Sequence, residues 1–323
     1  MTDASPARKL RVLFLGSGAF GIPTLDAIAG VHELVGVVTQ PDKPAGRGMK
    51  LTPSPVGHWA ADHLDPARVF KPDNINTPET ISALHTLRAD AWVVIAYGQK
   101  LGRALLEGVF AINLHASLLP RWRGAAPINH AIWAGDTETG NSVITLADRM
   151  DAGLVLGQSR LAIDPLVTTG ELHDLLAADG PVLILRVLDE FASDRLAPVT
   201  QDESLVTHAR KLSKADGAID PVWSAAQIRR TVHALNPWPG VGVTLDGVPM
   251  KLLRVQDLPG NPESSAAEPG ALIDPKAGVV ACGGRTSLRL LEVQPLGKRA
   301  MRWDEYASGK RFSESARLEG APC

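Results

Sequence analysis

Asn113, His115 and Asp151 are the residues of this chain whose types and spacing could do chemistry. Ala111-Ile112-Asn113-Leu114-His115 alternates apolar and polar residues, so an extended backbone turns Asn113 and His115 to the same side. Arg149-Met150-Asp151-Ala152-Gly153 supplies a carboxylate followed by a glycine turn, thirty-six residues after the histidine. A histidine can act as general base while a neighbouring amide donates to an oxyanion, and a distant carboxylate can orient and charge the imidazole. Such a set suits proton-coupled acyl transfer. A lone histidine is more often a core residue satisfied by a backbone carbonyl; the accompanying amide and acid favour the catalytic reading.

The elements around these residues alternate between strand and helix. Arg11 to Leu15 reads as a buried strand, Gly16 to Gly21 as a turn and Ile22 to Ala29 as a helix. Glu33 to Thr39 and the apolar run Ala91 to Ala96 are further strands, the latter ending in Tyr97-Gly98, and Val143 to Leu146 precedes the Asp151 loop. This alternation predicts an α/β fold with a doubly wound, mostly parallel sheet and a site beyond the carboxyl ends of the strands. Helical patterning runs over Thr169 to Leu176 and again over Val182 to Phe191, and residues 194–220 turn polar and irregular. After the Asn236-Pro237-Trp238-Pro239-Gly240 turn come the short β-type runs Val241 to Leu245, Met250 to Val255, Gly278 to Cys282 and Ser287 to Val293, the pattern of a small β-barrel. The expected division is therefore a catalytic domain over 1–193, a linker over 194–220 and a barrel over 221–323.

Gly16-Ser17-Gly18-Ala19-Phe20-Gly21 matches the dinucleotide fingerprint G-x-G-x-x-G. That fingerprint wants an acidic residue closing the second strand to hold ribose hydroxyls. Here the strand ends Val37-Val38-Thr39-Gln40, and Asp42 lies beyond it among prolines. The glycines are better read as a tight turn that lets helix pack on strand.

The 323 residues, 45% apolar and 21% charged, suffice for two globular domains. No apolar run approaches the roughly 20 residues of a membrane span, and Met1 to Lys9 lacks a signal-peptide core. Two cysteines, Cys282 and Cys323, fit a reducing cytoplasm, and no Cys/His cluster has zinc-ligand spacing, so no metal is expected. Net charge is −2 but uneven: residues 208–323 carry 16 Lys and Arg against 12 Asp and Glu, the remainder 17 against 23. A mildly basic C-terminal part suits a polyanion. The segment Pro41 to Lys50 reads as a flexible loop carrying Lys43, Arg47 and Lys50, suited to phosphate contact; its plainer reading is a solvated surface loop.

Asn113-Leu114-His115, Ser117-Leu118-Leu119-Pro120, Arg121-Trp122-Arg123-Gly124-Ala125-Ala126-Pro127 and the later Asp151-Ala152-Gly153 resemble the 10-formyltetrahydrofolate-dependent formyltransferases, most closely the branch that acts on methionyl-tRNA. The similarity runs from about Arg11 to Phe312. It implies that Asn113, His115 and Asp151 are the catalytic trio, and that Ser117, Leu118, Leu119 and Pro120, with Tyr97 and Gly98, line the folate site. It further implies that Lys43, Arg47 and Lys50 contact tRNA and that the C-terminal barrel is an OB-like tRNA-binding domain. The implied reaction moves a formyl group from 10-formyltetrahydrofolate to the α-amino group of methionyl-initiator-tRNA for translation initiation. A metal-free cytoplasmic monomer with no membrane partner is expected. The alternative is a sister formyltransferase with a small amine acceptor, an amino-sugar nucleotide or glycinamide ribonucleotide; the basic segment and the barrel favour tRNA. The chain departs from the family pattern at Asp220-Pro221-Val222-Trp223, where tryptophan usually follows the acid directly, and at Ala152, where threonine is common.

Overall fold

The computed structural model describes residues 8–46, 48–260 and 266–320. The chain forms two compact units. The first comprises the chain through Arg123 together with Gly140–Leu161 and His173–His208; the second comprises Gly124–Thr139, Ala162–Leu172 and the chain from Ala209 onward. The division thus follows several crossings of the chain, where the sequence suggests a single cut at a linker.

The first unit is built on a seven-stranded sheet of β1 (Arg11–Gly16), β2 (Glu33–Val38), β3 (Val69–Phe70), β4 (Ala91–Ile95), β5 (Ala111–His115), β6 (Ser142–Thr145) and β7 (Val155–Gln158), in the order β7-β6-β5-β4-β1-β2-β3. The five strands from β5 to β3 run parallel, and β6 and β7 are antiparallel to their neighbours. All five residues of β4 are buried, which explains why its sequence is a continuous apolar run rather than an alternating one. Leu13, Leu84, Trp92 and Leu105 pack together on one side of this sheet as its core.

Glycine chemistry closes the first turn. A Cβ on Gly16 would lie 2.8 Å from the Ile95 carbonyl oxygen, so β1 and β4 can approach there only without a side chain. Beyond the strand ends, the Ser17 hydroxyl donates to the Tyr97 carbonyl at 3.2 Å and accepts the Gln40 N–H at 3.1 Å. The Gln40 amide also donates to the Tyr97 carbonyl, at 3.2 Å. These bonds tie the carboxyl ends of β1, β2 and β4 into one rigid rim.

A single helix, Thr169–Ala192, replaces the two helical stretches expected on either side of Gly180-Pro181. Gly180 reads as a breaker in sequence, but a Cβ there would fall 2.8 Å from a Leu114 methyl; the glycine lets the helix lie close against β5.

The second unit carries an antiparallel sheet of β8 (Val241–Leu245), β9 (Val248–Leu258), β10 (Leu272–Asp274), β11 (Val279–Cys282), β12 (Thr286–Pro295) and β13 (Leu318–Gly320), ordered β10-β11-β12-β9-β8-β13. Register shifts near Arg254 act as bulges that curl the long β9–β12 pair. Curling brings the two edges together: Leu272 N–H donates to the Ala316 carbonyl at 2.9 Å and Leu318 N–H to the Gly270 carbonyl at 2.7 Å. The sheet thereby closes into the expected barrel.

The helix Ala225–Ala234 starts at a Ser224/Gln227 capping box and packs on β9. On it, His233 is fully buried, and its Nε2 accepts the Val255 N–H at 3.1 Å, which only an unprotonated nitrogen can do. Burial, reinforced by the Arg229 and Arg254 guanidinium groups, holds its pKa down to about 4. As pH falls, the unfolded chain takes up this proton near its ordinary value of 6.5, before the folded chain does. Stability is therefore expected to be full above pH 6.5 and to fall by up to roughly 3 kcal/mol toward pH 4 on this group's account. Denaturant titrations between those limits should show a shallower pH dependence in His233→Gln; parallel curves would refute the assignment.

Candidate active site

β5 ends on His115, in register with β6 through the pair His115–Ser142 and with β4 through Asn113–Val94. His115 is buried, with its Nε2 2.9 Å from the Trp122 carbonyl oxygen. A carbonyl can only accept, so Nε2 carries the hydrogen and Nδ1 is the nitrogen that gains or loses a proton. Nδ1 lies 3.7 Å from Asp151 Oδ2, too far for a hydrogen bond and near enough for a strong charge attraction once the ring is protonated. Both side chains are shielded, 7% and 14% exposed, so water screens that attraction little. Asn113 lies on the same face of β5, half-buried, and its side chain makes no hydrogen bond to another described residue. Its amide is thus available to a ligand.

Two left-handed residues shape the backbone around the pair. Trp122 (φ 62°) reverses the backbone so that its carbonyl meets His115, and Asp151 (φ 54°) does the same in the loop between β6 and β7. Gly153 follows because a Cβ there would stand 1.7 Å from the Thr145 carbonyl oxygen. The glycine of the Asp-x-Gly pattern is a packing necessity at the end of β6.

The segment after His115 is held as a compact turn. Ser117 Oγ donates to the Arg121 carbonyl at 2.7 Å, and the Leu119–Pro120 bond is cis. The Ser142 hydroxyl donates to the Ser117 carbonyl at 2.6 Å and accepts the Leu119 N–H at 3.0 Å, while Gln158 donates to the Leu119 carbonyl at 2.9 Å. Ser117 and Leu119 are buried and set the turn; Leu118 and Pro120 are half-buried. At the neighbouring corner Gly98 is exposed, with φ 89°. Tyr97, by contrast, sends its ring into the core, where burial pushes its hydroxyl pKa up to about 12 and leaves it without a hydrogen-bond partner among the described residues. Only the backbone of Tyr97 stays at the rim.

Residues 9–188 match the family described as formyl transferase, and residues 211–311 match the formyl transferase C-terminal domain. The chain belongs to the formyl transferase family. It is 42% identical over 314 residues to the methionyl-tRNA formyltransferase of Methylococcus capsulatus, covering 96% of this chain and 98% of that protein. It is 41% identical over 308 residues to that of Hydrogenovibrio crunogenus, covering 94% and 97%. Among solved structures, HypX from Aquifex aeolicus in complex with tetrahydrofolic acid superposes with a TM-score of 0.61 at 15% identity, covering 93% of this chain and 47% of that one, so the chain spans about half of HypX. An N-formyltransferase from Helicobacter canadensis, in complex with folinic acid and dTDP-3-aminofucose, gives 0.64 at 12% identity, covering 88% and 99%. At those identities the likeness is one of fold.

In this formyl transferase family member, the segment read as a flexible basic loop is an antiparallel hairpin, Lys43–Ala45 against Lys50–Thr52. Gly46 and Gly48 take positive φ in its turn, and Lys43 and Lys50 are exposed. Arg47 lies outside the described residues. Met49 and Leu51 are also largely exposed beside the lysines. Among the described residues no group of three or more His, Cys, Asp or Glu is placed to hold a metal ion, and no helix is long and apolar enough to cross a membrane.

Sequence reasoning missed Arg123 and Gln201. In sequence Arg123 is only one member of the Arg121 to Pro127 motif, and Gln201 part of the polar stretch 194–220. Arg123 is in fact buried and binds the Gln201 side chain, whose amide reaches the Asp151 loop. No local pattern could have revealed a partnership spanning 78 residues.

Proposed function

We propose that this chain transfers a formyl group from 10-formyltetrahydrofolate to the α-amino group of methionyl-initiator-tRNA. The observation that carries the reading is the buried His115–Asp151 pair, 3.7 Å apart, beside the Asn113 amide on one face of β5. As the amine attacks the formyl carbon, the new C–N bond forms and negative charge builds on the formyl oxygen. The Asn113 amide donates to that oxygen, an interaction typically worth about 3 kcal/mol. His115 Nδ1 takes the proton the amine sheds, Asp151 stabilises the resulting imidazolium, and the same proton goes to the folate nitrogen as its bond to the formyl carbon breaks. Leu118, Pro120 and Gly98 face the folate, while Ser117, Leu119 and the Tyr97 backbone hold that wall in place. The tRNA acceptor is supported by relatives of that activity matching over nearly their whole length. On this reading the barrel over 221–323 and the cations Lys43, Arg47 and Lys50 meet tRNA.

The deciding assay supplies labelled 10-formyltetrahydrofolate with charged initiator tRNA, using free methionine and an amino-sugar nucleotide as competing acceptors. Label should appear on methionyl-tRNA; transfer confined to a small amine would overturn the assignment. Arg47→Ala is expected to weaken tRNA binding and leave folate binding unchanged. One lost phosphate contact should also flatten the log–log salt dependence by about one unit. Parental tRNA affinity and salt slope in this variant would reduce the hairpin to a solvated connector.

A further inference from the structure

Gln201 lies in the stretch that reads as linker, yet it is only 7% exposed. Its Nε2 donates to two carbonyls of the catalytic loop, those of Asp151 and Gly153, both at 2.8 Å. Its Oε1 accepts from Arg123 Nε at 3.0 Å and Nη2 at 2.7 Å. Every polar atom of the amide is therefore engaged, which fixes which end is nitrogen and which is oxygen. The Arg123 side chain is 5% exposed and pairs with Glu203 at 2.9 Å. Burying a guanidinium is costly unless its donors are matched, and here they are shared between the Gln201 oxygen and the Glu203 carboxylate. Glu203 also binds Arg149, at 2.5 Å, two residues before Asp151.

The same short segment holds the histidine side. The Thr207 hydroxyl accepts the Trp122 N–H at 2.9 Å, and the Thr207 carbonyl accepts the Arg123 N–H at 2.9 Å. The Trp122 carbonyl receives the His115 Nε2–H. Residues 201–207 thus hold the Trp122 backbone, whose carbonyl orients the His115 ring, and the loop backbone that carries Asp151: Thr207 the one and Gln201 the other.

We infer that the 201–207 segment is a strap that sets the His115–Asp151 separation, with Gln201 as a positioning residue whose orientation Arg123 locks. This rests on the reading of His115 and Asp151 as the catalytic pair.

The test uses the full chain carrying Gln201→Glu, which keeps the acceptor for Arg123 and removes both donations to the loop. Gln201→Met, which keeps the volume and loses all four bonds, gives a second reading. Each should fold, lower kcat by about tenfold or more and leave KM for folate and tRNA within about twofold, since binding groups are untouched. Their pH–rate profiles should resemble that of Asp151→Asn, and the Asp151→Asn/Gln201→Glu double variant should be no slower than Asp151→Asn alone. Nitrogen-15 shifts of the His115 ring should move in the Gln201 variants in the same sense as in Asp151→Asn. Parental kcat, or a double variant in which the two losses multiply, would overturn the inference, as would unchanged ring shifts. The ring shifts need no turnover, so a parent that fails to formylate methionyl-tRNA would sink the functional reading while moving shifts still supported the strap.

Discussion

Replacing His115 or Asn113 by alanine should lower turnover about a hundredfold or more in each case, the cost of losing an oxyanion donor or the proton carrier. The two variants should differ in stability. The Asn113 side chain makes no hydrogen bond to another described residue, so Asn113→Ala should fold as the parent does. His115→Ala leaves the Trp122 carbonyl without its 2.9 Å donor and should cost about 1–3 kcal/mol in denaturant midpoints. Single-turnover rates on folded protein separate chemistry from stability. Near-parental turnover in either folded variant would remove that residue from the reaction.

Gly153→Ala should also have a large effect, for a different reason. Its Cβ would stand 1.7 Å from the Thr145 carbonyl oxygen, a backbone atom that cannot rotate aside. The loop must move, and with it Asp151 two residues earlier and both carbonyls held by Gln201. Turnover is expected to fall about tenfold or more, with a lowered melting temperature and folate affinity little changed. Gly30→Ala serves as the control, because nothing lies within 4 Å of a Cβ at that helix position. A Gly153→Ala enzyme with parental kcat would show that the loop tolerates displacement and that Asp151 need not be placed closely.

What sequence could reveal tracks the range of the interactions concerned. The apolar run of β4 and the alternation of β5 are local consequences of burial, and both are visible in single stretches of chain. Asn113 and His115 stood out as neighbours because they share one strand, and Asp151 because a glycine required by packing follows it two residues on. The hairpin at Lys43–Ala45 was hidden by Pro44 and by Gly46 and Gly48, which resemble loop residues although two glycines at positive φ build its turn. Gly180-Pro181 looked like a helix break because the pressure on Gly180 comes from Leu114, far away in sequence. Tyr97 looked like a ligand-facing aromatic at a strand end; only three-dimensional packing decides that its ring turns inward. Gln201 was the hardest case, a polar residue among polar residues whose partners lie 48 to 78 positions away.

On the proposed function, the carbonyl of Trp122 makes His115 a one-handed proton carrier. With Nε2–H committed, no relay can run through the ring, in at one nitrogen and out at the other. The proton must arrive and depart by Nδ1, so the incoming amine and the departing folate nitrogen have to visit the same corner of the site in turn. The proposed reaction is then a transfer across a single shared atom. A donor and an acceptor held on opposite faces of the imidazole, however tightly bound, would have no route between them.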